Sequence, residues 1–322
     1  MTLRHFKLII ALAIGLAVLA LVLMHFDLDL VMRALARAGP VGLMLVIAAG
    51  LVAEVVLAAG IIPLLPRPQP LHVVFAARQL RDSSSDVLPI TQLGGLVFAV
   101  RAFVLAGLGG LEASASVIAD LTTETFAQGL YVLVGVAASL SLLRRSAMLS
   151  PWTSAMLGGA LLLSLGSFFF AIVQMNSSRW AEKLHGRLFA ATAAHAHSFS
   201  AAVQAIYRAR TRVALSILLQ FAGWIASGLW LWVVLAVMDV HPGIWSAIAI
   251  QALVEGLRSA TVFIPAAIGI QEAGYAAVAP AFGLPPEIGL AVSLLRRARD
   301  ILVAIPVLLL WQFIESRRAA RA

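Results

Sequence analysis

Apolar residues run almost unbroken over 8–24, 40–64, 114–143, 152–175, 213–238 and 286–313, and polar residues gather between these runs. Each run approaches or exceeds the ~20 residues that carry an α-helix across a bilayer core. The pattern predicts about six spanning helices. Residues 27–39 place Leu30, Ala34, Leu35 and Ala38 on one face of an interfacial helix. LHVVFAARQLRDSSSD, residues 71–86, reads as a short amphipathic helix approaching the membrane, and 176–212 as a polar cytoplasmic stretch.

Two regions break the apolar pattern. Residues 87–110, VLPITQLGGLVFAVRAFVLAGLGG, carry Pro89, Gly94, Gly95 and Arg101. Residues 244–282 carry FIPAAIGIQEAG, with Pro265, Gly269 and Glu272. Proline removes a backbone donor and clashes with the preceding helical turn. Interrupted backbone at membrane depth survives only inside protein or along a wet cavity. Both regions are therefore expected to be re-entrant broken hairpins.

Pro89 and Pro265 stand 176 residues apart, and the same shift carries Asp120 onto Arg296. The order span, span, broken hairpin, span recurs in 1–150 and 151–322. The expected fold is an all-α polytopic membrane protein forming one integral domain. Its two halves would be inverted repeats, as in transporters whose sites lie between discontinuous helices.

Composition agrees with the pattern. The chain is 61% hydrophobic and 12% charged, against about 45–50% and 25% in a soluble domain. It has no cysteine, so thiolate chemistry is excluded. The net charge of +8 is a topological signal here rather than a nucleic-acid footprint. Loops assigned to the cytoplasm hold 14 Lys and Arg against 4 outside, with Arg78 and Arg81 counted among the 14. Both termini are then expected in the cytoplasm.

Eleven ionisable residues fall within apolar regions: Glu54, Arg101, Asp120, Glu124, Glu255, Arg258, Glu272, Arg296, Arg297, Arg299 and Asp300. Each costs about 2.5–3.5 kcal/mol at the centre of a spanning helix, so they must pair or face a wet cavity. Glu255 with Arg258, and Arg296 with Asp300, share helix faces by spacing. Asp120 and Glu124 share a face with like charge and need a cation, a shared proton or arginine partners from elsewhere, the nearest candidates being Arg296, Arg297 and Arg299. Three readings stay open: structural ion pairs, a polar cavity for an anionic headgroup, and a proton relay at the two carboxylates. Guanidinium suits phosphate or carboxylate. His195 and His197, two residues apart, project to different helix faces, so with His185 they do not suggest a metal. No nucleotide loop, zinc motif or nucleophile elbow is present. No cofactor and no enzymatic activity are expected.

FIPAAIGIQEAGYAAVAPAFGLPPEIGLAVSLLRRARDIL, with VLPITQLGG and Arg101 and with VIADLTTETFAQ, resembles the flippase-like membrane domain of lysylphosphatidylglycerol synthases over about residues 8–315. Within that family it is similar to inner-membrane proteins associated with hopanoid biosynthesis. The resemblance implies a bacterial inner-membrane protein that translocates a lipid, here a hopanoid or hopanoid conjugate. The motif positions are Pro89, Gly94, Gly95, Arg101, Asp120, Glu124, Pro265, Gly269, Glu272, Arg296 and Arg297, and Arg258 joins them as a candidate ligand by its depth. The chain ends soon after its last helix, without the family's soluble transferase domain, so aminoacyl transfer is not expected. Ala266 and Ala267 stand where the family usually has glycine. The expected partner is a membrane lipid; in the alternative reading, a non-transporting membrane scaffold, 176–212 would dock lipid-biosynthesis enzymes.

Overall fold

The computed structural model describes residues 28–87, 94–145, 154, 157–173, 193–260 and 267–320. The expected first span at 8–24, Pro89, Pro265, Ala266, His185 and residues 176–192 of the polar stretch lie outside the described residues. The fold is all-helical among the described residues. Helix α1 is Leu28–Ala59, followed by a 3₁₀ turn at Ile62–Leu64. Then come α2 (Leu71–Val87), α3 (Gly95–Leu105), α4 (Gly110–Arg145) and α5 (Leu157–Val173). The second half holds α6 (Ala193–Arg208), α7 (Arg210–Val237), α8 (Ile244–Ala260), α9 (Ile270–Val278), a 3₁₀ turn at Ala279–Phe282, and α10 (Pro286–Ala319).

Three described helical stretches are long and apolar enough to cross a membrane: Leu35–Leu64, Gly110–Leu142 and Arg210–Val237. Leu157–Val173 is apolar but shorter, and α10 has the length but carries charges at its centre. Within α1 the backbone turns at Gly39 (φ 58°), ahead of Pro40. Proline is pre-organised for a first helical turn, and the expected boundary between interfacial segment and span falls at this turn. Val41, Met44, Leu45 and Val52 on α1, with Leu162, Leu165, Phe169 and Phe170 on α5, are exposed. Apolar surface of this extent marks an interaction face, and lipid is its natural partner.

One expectation about the first hairpin is corrected. Its two arms do not both lie within 87–110: α2, read as a separate approach helix, is the entering arm, and α3 is the other. Ser83, Ser84 and Ser85 are buried, as are Val74, Ala77 and Leu80. A Cβ on Gly95 would strike Ser85 Oγ and the Arg81 carbonyl. Small residues on both arms let α2 and α3 lie nearly backbone to backbone. The second hairpin has the expected arms, α8 and α9.

Helix α4 serves as a ruler for both hairpins. Its Ala113 and Val117 join one apolar cluster with Leu65, Val74, Phe103 and Leu108, at the base of the first hairpin. One turn on, Asp120 and Glu124 meet Arg81 of α2. Farther along, Gln128 donates to the Glu255 carbonyl of α8. Beyond that, Val132 lies against Gly256 and Gly135 against Ala252. The α2 arm thus runs parallel to α4 and the α8 arm antiparallel to it, and their tips converge near its middle.

The halves exchange contacts as a twofold requires. In each, the entering arm packs on the other half's long helix: α2 on α10, α8 on α4. Likewise α4 packs on α7, and α10 on α1. The equivalent helices α1 and α7 pack against each other in antiparallel register, with Gly42 beside Val237, Leu57 beside Gly223 and Gly60 beside Gln220. A twofold that reverses helix direction lies across the helix axes, which is the geometry of an inverted repeat. The long helices α4 and α10 begin at 110 and 286, the same 176-residue spacing read between Pro89 and Pro265.

Candidate functional site

The tips of the two hairpins meet through charge. Asp86 stands one residue before the end of α2 and Arg258 two before the end of α8; Oδ1 and Nη2 lie 3.8 Å apart. Behind Arg258, Glu255 gathers donors at Oε1: Arg258 at 3.4 Å, Gln251 at 3.0 Å and Arg296 of α10 at 2.5 Å. Arg296 also donates to Tyr275 Oη (3.1 Å), and Tyr275 in turn donates to Gln251 Oε1 (2.5 Å). The indole of Trp230 lies under both Arg296 and Arg299, 5.7 and 6.0 Å from the guanidinium carbons. Arg299 bonds Asp300 (2.9 Å) and Glu54 of α1, and Glu54 also accepts from Gln79 of α2. One network therefore ties α1, α2, α8, α9 and α10 together at the middle of the bundle.

A second cluster sits on α4. Glu124 accepts from Arg78 at 2.6 Å and from Arg81 at 2.9 and 3.2 Å. Asp82 accepts from the Nε atoms of the same two arginines, at 3.1 and 2.8 Å. Asp120 receives the Gln220 amide at 2.7 Å and lies 3.5 Å from Arg81 Nη1. Gln220 reaches this point because Gly60 leaves room: a Cβ there would stand 2.6 Å from the amide carbon. Beside the cluster lies a cavity of about 20 Å³, lined by Arg78, Arg81, Asp120 and apolar side chains.

Glu272 belongs to neither cluster. It is fully buried in the first turn of α9, where Oε2 accepts the Gly269 N–H at 2.8 Å. Its Oε1 takes Arg297 Nε and Nη2 at 2.9 and 2.8 Å. Gly269 holds φ 79° and Ala267 φ 47°. The turn keeps a glycine-type backbone even at an alanine.

The expected site residues thus separate. Asp120, Glu124, Arg258, Arg296, Arg297 and Glu272 all lie in buried ionic contacts near the hairpins, and the spacing-based pairs Glu255–Arg258 and Arg296–Asp300 are formed, the latter at 4.0 Å. The expected partners of Asp120 and Glu124 are corrected: these carboxylates pair with Arg78 and Arg81 of α2, not with Arg296, Arg297 or Arg299. Consequently Arg78 and Arg81 drop out of the loop charge count, which becomes 12 against 4. Arg101 is corrected as well. Its side chain is 49% exposed and forks onto Glu315 near the end of α10, at 2.9 and 3.0 Å. Helix α3 is only eleven residues long, so a long side chain four residues from its end reaches the surface. Gly94 has ordinary helical backbone (φ −65°) and Gly95 is a close-contact glycine, so neither supplies the expected break, and residues 88–93 lie outside the described residues.

Sequence reasoning missed Arg78, Arg81, Asp82 and Asp86, together with Gln79 and Gln220. A signal existed for the charged four: they recur at helical spacing beside a triple serine, a small-residue face suited to close packing.

Among the described residues no group of three or more His, Cys, Asp or Glu is placed to hold a metal ion. The family model described as the lysylphosphatidylglycerol synthase TM region matches residues 8–307. No curated protein and no solved structure matches the chain. With the match spanning all but the ends of the chain, and with the helical architecture to accompany it, the protein belongs to the lysylphosphatidylglycerol synthase transmembrane-region family, membrane proteins linked to lipid handling.

Proposed function

We propose that the protein carries a polar-headed membrane lipid between leaflets, as a transporter rather than an enzyme, with a hopanoid or hopanoid conjugate as the substrate class and the bacterial inner membrane as its location. The observation that supports this reading is the meeting of two opposed hairpins, tip to tip, across a buried ionic network. A headgroup cannot cross hydrocarbon unassisted because its hydration is lost. A chain of guanidiniums and carboxylates at mid-depth offers replacement partners, while the lipid tail stays outside. The cavity of about 20 Å³ beside the network is water-sized, so this arrangement is an occluded one, and movement of a headgroup requires the tips to part. Arg296, which joins Glu255, Tyr275 and Trp230, is the side chain most central to that exchange.

The test is reconstitution of the full chain in proteoliposomes with a fluorescent or chemically quenchable hopanoid conjugate in one leaflet. Wild type should equilibrate the probe between leaflets. Arg296→Ala should slow it at least tenfold while retaining a monodisperse, helical protein. Equal rates in the two would remove the reading.

A further inference from the structure

Three carboxylates share two guanidiniums on the inner face of the first hairpin. Asp82 takes Nε from both Arg78 and Arg81, and Glu124 takes their terminal nitrogens. Asp120 is left with the one longer contact, 3.5 Å to Arg81, and with a neutral amide. Fully ionised, the cluster carries one negative charge in excess. Asp82 is partly exposed, whereas Asp120 and Glu124 are only 6% and 8% exposed. A buried carboxylate without a matched cation is neutralised more readily by a proton than by waiting for a partner.

Two further atoms point the same way. Arg78 Nη1 and Gln220 Oε1 are buried with no hydrogen-bond partner. Gln220 is itself fully buried, and its amide already touches Asp120. Turned by half a rotation, that amide offers its oxygen to a protonated Asp120; as it stands, it offers its N–H to an ionised one. Both protonation states can be served. The cavity between Arg78, Arg81 and Asp120, at about 20 Å³, has room for one water, which would satisfy Nη1 and carry a proton to the carboxyl.

The matching place in the other half lacks these features. Ile250, Tyr275 and Ala279 line a cavity there and stand 176 residues after Val74, Ala99 and Phe103 of the first cavity. Its lining holds no charged side chain. The polar lining therefore belongs to one half and is not a by-product of the repeat.

We propose that Asp120 is a proton-binding site. One proton from solvent adds to a carboxylate oxygen of Asp120 when the first hairpin is closed, cancelling the cluster's excess charge. It leaves through the adjacent water when the hairpin opens and the carboxylate is rehydrated. The groups facing Asp120 are Arg78, Arg81 and Asp82 from α2, Glu124 from its own helix, and Gln220 from α7; the cavity residues from α1, the turn after it and α3 are Ala58, Ile61, Ala99 and Phe103, none of which titrates. That this proton drives lipid movement rests on the transport reading, while the site itself does not.

The test is infrared difference spectroscopy of the full chain in nanodiscs, between acid and alkaline buffer. A protonated-carboxyl band should be lost on alkalinisation, be absent in Asp120→Asn, and be lost at lower pH in Glu124→Gln, which removes the cluster's excess negative charge. Arg81→Gln, which removes the nearest cation, should tighten proton binding about tenfold or more; it also serves if Asp120→Asn fails to fold. A band unchanged in Asp120→Asn, or a binding midpoint unmoved in Arg81→Gln, overturns the site. In proteoliposomes an imposed pH gradient should alter lipid movement by wild type and not by Asp120→Asn. If the band behaves as expected and the gradient has no effect on wild type, the coupling fails and the proton site stands.

Discussion

Asp86 at the end of α2 and Arg258 at the end of α8 face each other at 3.8 Å, the point where the two opposed hairpins touch. If headgroup passage requires the tips to part, joining them must stop it. The chain contains no cysteine, so an Asp86→Cys/Arg258→Cys pair can be bridged without background by a short disulfide-forming bifunctional reagent. Lipid movement in proteoliposomes should fall at least tenfold on bridging and recover on reduction. Full movement with the bridge in place, verified by mass spectrometry, would sink the parting mechanism.

Arg297 and Glu272 pair outside both clusters, and the loss of the cation can be read on one buried carboxylate. Removing the cation leaves a fully buried carboxylate with only the Gly269 N–H. Arg297→Ala should destabilise by about 3 kcal/mol, seen as a lowered melting midpoint in detergent. Adding Glu272→Gln should recover most of the loss, because the neutral amide oxygen still accepts from Gly269. A double variant no better than the single one would show that Arg297 acts mainly through packing.

Ala267 holds a left-handed backbone at φ 47°, where a Cβ crowds the following carbonyl at a cost of about 1–2 kcal/mol. Ala267→Gly should therefore stabilise the protein by about 1 kcal/mol, less the extra entropy of glycine in the unfolded chain. A melting midpoint that falls would indicate that the alanine methyl packs well enough to outweigh the strain.

Much of this arrangement was legible in the residues. The proline and glycine breaks located the hairpins, since helix breakers in an apolar run have few other uses at membrane depth. The 176-residue spacing located the repeat, and i,i+3 and i,i+4 spacing located Glu255–Arg258 and Arg296–Asp300. The role of α2 was not legible in the same way. Its mixed face of arginines, serines and aliphatics fits a surface helix as well as a buried arm, and only the fit of Ser85 against Gly95 decides between them. Gln79 and Gln220 escaped because a neutral amide in an apolar stretch announces no partner. Arg101 misled for the opposite reason: its neighbours are apolar, but depth is set by how many residues separate it from the helix end.

The separation of Arg101 from the ionic network makes a sharp contrast with Arg78. Arg101 pairs with Glu315 while half exposed, and exposed pairs contribute about 0–1 kcal/mol. Arg101→Ala should leave the melting midpoint nearly unchanged and lipid movement within twofold of wild type. Arg78→Ala removes the 2.6 Å contact to buried Glu124 and should destabilise by several-fold more. Equal effects of the two substitutions would return Arg101 to the site.

The inverted arrangement predicts that the two hairpins open on opposite faces of the membrane. Leu71 begins the entering arm of the first hairpin and Ile244 that of the second; both are exposed, at 45% and 41%. On α4, the first base lies by Ala113, whereas Leu140 packs against the apolar cluster that holds Ala247 and Ile288 at the second. Those two positions on one helix are on the order of 40 Å apart at 1.5 Å per residue, comparable to the full thickness of a bilayer with its headgroups. Single Leu71→Cys and Ile244→Cys variants in the cysteine-free chain should therefore react with a membrane-impermeant maleimide from opposite sides. In sealed inside-out vesicles one should label and the other remain protected, and in right-side-out spheroplasts the pattern should reverse. Labelling of both from the same side would place the hairpins in parallel and remove the inverted repeat, however well the helix packing obeys a twofold.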